Sequence, residues 1–171
     1  TFENLKKYDF LEKKLFLLRD PVLNIDEINK KKKDRNDLPE KVNKFIEDEN
    51  FFLLIGRFTK QKNFIFFLES VIDILKEARD LKFLIIGEGE EKEKFLKIVK
   101  EHKLTKNIFV HEYTKNVHYL MRICKAFILT SLWEDPGFVI IESAYNNCNI
   151  ISRNCPNGPE EIISNDGGYL F

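Results

Sequence analysis

The sequence is sparing with the residues that build disulfide and metal sites: three Cys and three His in 171 residues, with one Met and one Trp. Cys124, Cys148 and Cys155 are odd in number and form no Cys-x-x-Cys. That argues against a disulfide framework or a structural zinc site and fits a reducing, cytoplasmic setting. His102 and His118 fall in helical patterns and His111 at a strand end. They make no His-Glu-x-x-His or comparable pair, so no metal site is expected. Asp-x-Asp, the kind of carboxylate cluster a metal-bridged diphosphate calls for, is also missing. Neither charge sign is in excess, because Lys+Arg 28 balance Asp+Glu 28, and nucleic acid is therefore not expected as a partner. No run reaches the roughly 18 apolar residues that span a bilayer, and no signal peptide is visible. There is no low-complexity tract and no internal repeat. The first residue is Thr1, not Met, and a fragment of a longer chain is expected.

What the chain does have is apolar mass. Its composition is 43% hydrophobic with 16 Phe, enough for a substantial core in one domain. Residues 1–14 read as a charged amphipathic helix, and Leu15–Leu18 as a short strand ahead of the turn at Pro21. Asn29–Arg35 is a charge run, read as a solvated helix or loop, with membrane-surface contact as the lesser reading. Lys41–Asp48 forms another short helix. Continuous apolar runs then alternate with amphipathic patterns: strands at 51–55, 82–86, 108–110, 126–129, 149–151 and 169–171, helices at 64–75, 93–102, 117–124, 138–145 and ending at 162–163. Apolar runs of this length suit strands buried on both faces, and strict alternation implies βαβ units in a parallel sheet covered by helices on both sides. On such a sheet, ligands bind beyond the carboxyl ends of the strands, where the polar clusters after Ile55, Ile86, Val110 and Leu129 fall.

The richest stretch is Ser131-Leu-Trp-Glu134-Asp-Pro-Gly137-Phe-Val-Ile-Ile-Glu142. Asp135 reads as an N-cap and Pro136 as the first helical residue. The amides of Gly137, Phe138 and Val139 then point from a helix N-terminus, an anion site, bracketed by Glu134 and Glu142. The plain alternative is that Glu134 and Asp135 favour the helix dipole while Glu142 lies on a solvated face. Earlier in the chain, Gly56-Arg57-x4-Lys62 puts two cations after the first core strand, where Arg can grip a phosphate with two donors and Lys acts as a mobile charge; two ordinary surface cations are the alternative. Gly87-Glu-Gly89 lacks a third Gly and is surrounded by Glu, which argues against a dinucleotide cofactor. Tyr113 is either a ring beside a ligand or a buried core residue. Trp133 reads as packing beneath its loop.

The spacing Glu134-x7-Glu142, preceded by a serine after an apolar strand, resembles the acidic motif of retaining glycosyltransferases of family 4, which have the GT-B fold. Asn154-Cys-Pro-Asn-Gly-Pro-Glu-Glu-Ile162 resembles that family's next loop, with Glu161 in the usual acidic place, and Gly56-Arg57-x4-Lys62 its basic motif, with Asn63 where Gly is usual. The resemblance covers residues 51–171. It implies the Rossmann-like C-terminal half of a GT-B enzyme, with residues 1–24 as an inter-domain linker region and flanking helix and 25–171 as a nucleotide-sugar donor-binding domain. It further implies that Arg57 and Lys62 neutralise a diphosphate leaving group, aided by the amides of Gly137, Phe138 and Val139. Glu142 would take ribose hydroxyls and Glu134 hydroxyls of the donor sugar. Gly56 and Tyr113 would lie beside the nucleotide. The donor would be a nucleotide-sugar, a UDP-sugar by the Cys-Pro-Asn-Gly-Pro variant, bound without a metal or other cofactor. A hexose or N-acetylhexosamine would pass to a glycan or lipid-linked acceptor held by an N-terminal domain, with peripheral contact at the inner face of the membrane in the full enzyme. A non-catalytic nucleotide-binding module, and a GT-B epimerase or phosphorylase, remain alternatives.

Overall fold

A computed structural model describes Lys7 and residues 23–36, 38–135, 137–163 and 167–171. The helix expected at 1–14 and the strand at 15–18 lie outside those residues, apart from Lys7. In chain order the elements are α1 (Ile25–Lys31), α2 (Glu40–Phe45), β1 (Phe52–Ile55), α3 (Phe64–Glu77), β2 (Phe83–Ile86), α4 (Lys92–Glu101) and β3 (Ile108–His111). Then follow α5 (Val117–Ile123), β4 (Ala126–Leu129), α6 (Phe138–Tyr145), β5 (Ile150–Ser152), α7 (Pro159–Ile163) and β6 (Tyr169–Leu170). The six strands form one parallel sheet in the order β3-β2-β1-β4-β5-β6. This is the Rossmann-like α/β architecture expected from the alternation, with boundaries shifted by a residue or two.

The sheet is buried on both faces because successive side chains point to opposite sides. Leu53 faces one core, with Val42, Ile46, Leu84, Leu120, Phe127 and Ile140, so α2, α5 and α6 cover that face. Leu54 faces the other, with Ile85 of β2 and with Phe64, Leu68, Phe95 and Val99 of α3 and α4. The loop after β1 is pinned to the second core by Phe58, fully buried, whose ring meets Phe64 and Phe95 edge-on with centroids 4.9 and 5.3 Å away. The glycines after β2 serve this packing. A Cβ on Gly87 would lie 1.8 Å from the Gly56 carbonyl oxygen, and one on Gly89 would meet the Phe58 backbone at 2.5 Å. The backbone close approach at this run is therefore to the loop after β1.

Strand order reverses between β1 and β4, so their carboxyl ends diverge into a crevice. The cysteines are free and buried, with the sulfurs of Cys124 and Cys148 3.3 Å apart. No helix among the described residues is long and apolar enough to cross a membrane.

Candidate functional site

Two loops are stitched together across the crevice. The Thr130 hydroxyl donates to the Lys62 carbonyl at 2.9 Å, the Leu132 amide to the Gln61 carbonyl at 2.8 Å, and the Gln61 side-chain amide to the Trp133 carbonyl at 3.0 Å. Asn63, in the place where the basic motif usually has Gly, adopts the left-handed conformation with φ 55° as N-cap of α3. Asn tolerates that region better than other side chains, so the exchange preserves the turn that aims Lys62. The result is a buried ion pair: Lys62 Nζ lies 2.6 Å from Glu134 Oε1, with side-chain exposures of only 14% and 5%. The Glu134 amide donates to the Pro156 carbonyl at 3.0 Å, which ties the acidic loop to the loop after β5. Burial and then the Glu134 charge push the neighbouring Cys155 thiol up. Arg57 is exposed and takes no part in this pair.

Helix α6 begins two residues later in the loop than the Asp-Pro signal indicates. Its N-cap is Gly137, with φ 84° and no side-chain cap, so Asp135 is not the cap. A Cβ at 137 would sit 3.4 Å from the Glu134 side chain. The positive φ explains why Gly stands there instead of an Asp-capped start. The Ile140 amide turns back to the Gly137 carbonyl at 2.9 Å. Among the described residues nothing accepts from the amides of Gly137, Phe138 or Val139.

A cleft of about 380 Å³ opens at this point, lined by Ile55, Gly56, Lys62, Val139, Phe138 and Glu142, with Lys31, Tyr113, Lys115, Val117 and His118 on the opposite side. Its size is that of small-ligand sites. Glu142 is half-buried, and desolvation raises its carboxyl above the ordinary value; its carboxylate has no partner among the described residues. A solvated face is therefore not its setting. Of the three lysines on the cleft, Lys62 is paired with Glu134 and Lys31 with Glu27, so an anion there finds its donors in Lys115, the helix amides and a shared Lys62. Of the residues singled out from sequence, Gly56, Lys62, Tyr113, Phe138, Val139 and Glu142 line it. Glu134 and Gly137 lie behind that wall, and Arg57 lies outside it. Tyr113 is 73% exposed, which removes the buried-core alternative, and Trp133 is 46% exposed instead of packed beneath its loop.

The opposite wall was not read from the sequence. Asn116, fully buried, caps α5 by accepting from the Tyr119 amide and donates to the Asp34 carbonyl, which clamps the turn after α1 to the start of α5. Helix α1 buries Ile28, and Lys31, three residues on, falls on the same side. The pair Ile25 and Ile28, three residues apart just ahead of the charge run, was the available signal of an inner face, and of the two only Ile28 is buried. On the far side of the sheet a second cavity of about 390 Å³ is lined almost wholly by apolar side chains, among them Phe52, Phe67 and Ile151, and offers a charged ligand nothing.

Comparison with known proteins bears on what this cleft holds. The model of the family described as glycosyl transferases group 1 matches residues 34–171. An uncharacterized glycosyltransferase of Methanocaldococcus jannaschii is 32% identical over 143 residues, 83% of this chain and 35% of that protein. The amylovoran biosynthesis glycosyltransferase AmsD of Erwinia amylovora is 33% identical over 125 residues, 72% of this chain and 34% of that one. A structure of an S. aureus TarM variant in complex with fondaparinux, alpha-GlcNAc-glycerol and UDP aligns with TM-score 0.67 at 26% identity, covering 72% of this chain and 25% of that one. The chain spans about a third of the length of these two curated relatives.

Proposed function

The chain belongs to the glycosyl transferases group 1 family, and on that premise we propose that it is the C-terminal, donor-binding domain of a retaining GT-B enzyme similar to family 4. The observation that carries the reading is the cleft at the β1/β4 crevice, which combines a cation, unpartnered helix amides and a half-buried carboxylate. A nucleotide-sugar presents the matching groups in a row: sugar hydroxyls, a diphosphate, ribose hydroxyls and a base. Lys62 and the amides of Phe138 and Val139 stabilise the diphosphate as it leaves, a preorganised electrostatic role that costs no rearrangement of solvent. Arg57 reaches the same charge from outside the wall. Glu142 accepts from the ribose hydroxyls, and Tyr113 and Gly56 flank the nucleoside.

Glu134 and Lys62 hold each other in the unliganded chain. A diphosphate gives Lys62 a second anion for its three donors, and the Glu134 oxygens become available to hydroxyls of the donor sugar. The donor is a UDP-sugar carrying a hexose or N-acetylhexosamine. The UDP in the TarM complex supports the uridine, and polysaccharide synthesis by the AmsD relative supports a glycan or lipid-linked acceptor. That acceptor would be held by the other half of the full enzyme, which we place at the inner face of the membrane.

The diphosphate is bound without a divalent cation, because lysine and helix amides supply the positive charge. UDP should raise the melting temperature of the chain equally with EDTA and with excess magnesium. A loss of affinity above about tenfold, or ~1.4 kcal/mol, on chelation would contradict this. No shift with UDP, GDP or their sugars in a thermal-shift series would overturn the whole reading.

A further inference from the structure

One polar network at the cleft has no part in the roles above. The side-chain amide of Asn146 donates to the Glu142 backbone carbonyl at 2.8 Å and stands 3.2 Å from His118 Nδ1. Asn146 is buried, and its Oδ1 has no partner among the described residues. Turning the amide over would set that oxygen against the Glu142 carbonyl, oxygen facing oxygen, so the NH₂ group must face it. The second hydrogen of the NH₂ group is shared between His118 Nδ1 and Met121 Sδ, 3.7 Å away, and because an amide nitrogen cannot accept, the Nδ1 facing it at 3.2 Å is the acceptor. The imidazole is thereby fixed as the tautomer with its proton on Nε2, and His118 is part of the cleft wall. Burial and then the charge of Lys31 hold its pKa below the ordinary value, so the ring stays neutral near pH 7, with Glu27 opposing weakly.

The position along α6 says what this donor meets. Phe138, whose amide belongs to the diphosphate end, and Asn146 are eight residues apart, about 12 Å at 1.5 Å per residue. Glu142 lies between them. A nucleoside diphosphate laid along the helix from its N-terminus therefore has its nucleoside end at His118.

We propose that His118, locked by Asn146 with its Nε2–H toward the cleft, is a further donor-binding residue that gives a hydrogen bond to an acceptor oxygen of the bound nucleoside, with Asn146 as its positioning residue. The proposal rests on the nucleotide-sugar reading of the site.

Two substitutions separate contact from scaffold. His118→Asn keeps an acceptor oxygen near the Nδ1 position for Asn146 and removes the donor at Nε2. His118→Gln extends an amide donor toward the Nε2 position. In titrations with UDP, His118→Asn should lose roughly five- to tenfold in affinity, the scale of one neutral hydrogen bond. His118→Gln should recover most of that loss. Inorganic pyrophosphate, which has no nucleoside, should bind the wild type and both variants equally. Nitrogen NMR of the unliganded wild type should show His118 protonated at Nε2 and bare at Nδ1, and Asn146→Asp should reverse the two. Wild-type affinity for UDP in His118→Asn, an equal loss for pyrophosphate, or an Nδ1–H tautomer would each overturn the proposal. Failure of the wild type to bind any nucleoside diphosphate would instead bring down the site reading beneath it.

Discussion

Glu142 holds a carboxylate that burial makes costly to ionise and that no described residue stabilises. Between pH 4.5 and its raised folded value, the folded chain keeps a proton that the unfolded chain has lost, so this group's contribution to stability falls as pH rises through that window. Glu142→Gln should therefore raise the melting temperature at pH values above that window, with the gain vanishing at or below pH 4, as read by calorimetry across pH. A gain in stability with a loss of ligand affinity is the signature of a residue kept for binding. The Lys62–Glu134 pair behaves oppositely. Removing one partner leaves a charge buried, so Lys62→Met should cost about 3 kcal/mol in urea denaturation, and the double variant Lys62→Met, Glu134→Met should regain most of it. Sequence placed both residues at the site through resemblance, yet nothing in it announced that they bind each other. They are 72 positions apart, and pairing over that distance is decided by which strands become neighbours.

The start of α6 shows how a local signal loses to a tertiary one. Asp135-Pro136 has the composition of a capped helix start, and the chain nonetheless begins the helix at Phe138 behind a left-handed Gly137. The winning constraint is the left-handed backbone at residue 137, φ 84°, by which the loop turns back toward Glu134, and no local pattern reports it. Gly137→Ala should destabilise the chain by about 1–2 kcal/mol, the cost of left-handed backbone for an L-residue, and Gly137→Asn by less. Equal stability of all three would remove the constraint. Gly87→Ala should be worse, because the added carbon would overlap the Gly56 carbonyl and force β1 and β2 loops apart. The strands and the longer helices were legible because apolar runs such as Phe51–Ile55 admit only a buried strand between two turn signals. The inner face of α1 was not, since Ile25 and Ile28 alone mark it ahead of a run of lysines, and a pair is too short to show a helical period.

At the level of the whole molecule, topology does what no motif can. The order β3-β2-β1-β4-β5-β6 brings the loop after β1 against the loop after β4, although β2 and β3 intervene in sequence, and places both beside α6. That arrangement turns two separate basic and acidic motifs into one cleft. On the proposed reading the chain is one half of a two-domain enzyme, and it should then bind the donor without transferring sugar. Robust transfer to any acceptor by these 171 residues alone would refute that. The central claim is that one cleft reads a nucleotide-sugar from end to end, and calorimetric titration of wild type, Glu142→Gln and Glu134→Gln with UDP and with UDP-sugars tests it most directly. Hydrogen bonds to a charged group are worth about 1.5–3 kcal/mol, so Glu142→Gln should weaken both ligands by roughly tenfold or more. Glu134→Gln should weaken only the UDP-sugar, and should hold or tighten UDP by removing a negative charge near the diphosphate. A wild-type chain that binds neither ligand, or two substitutions that act alike on both, would contradict the account.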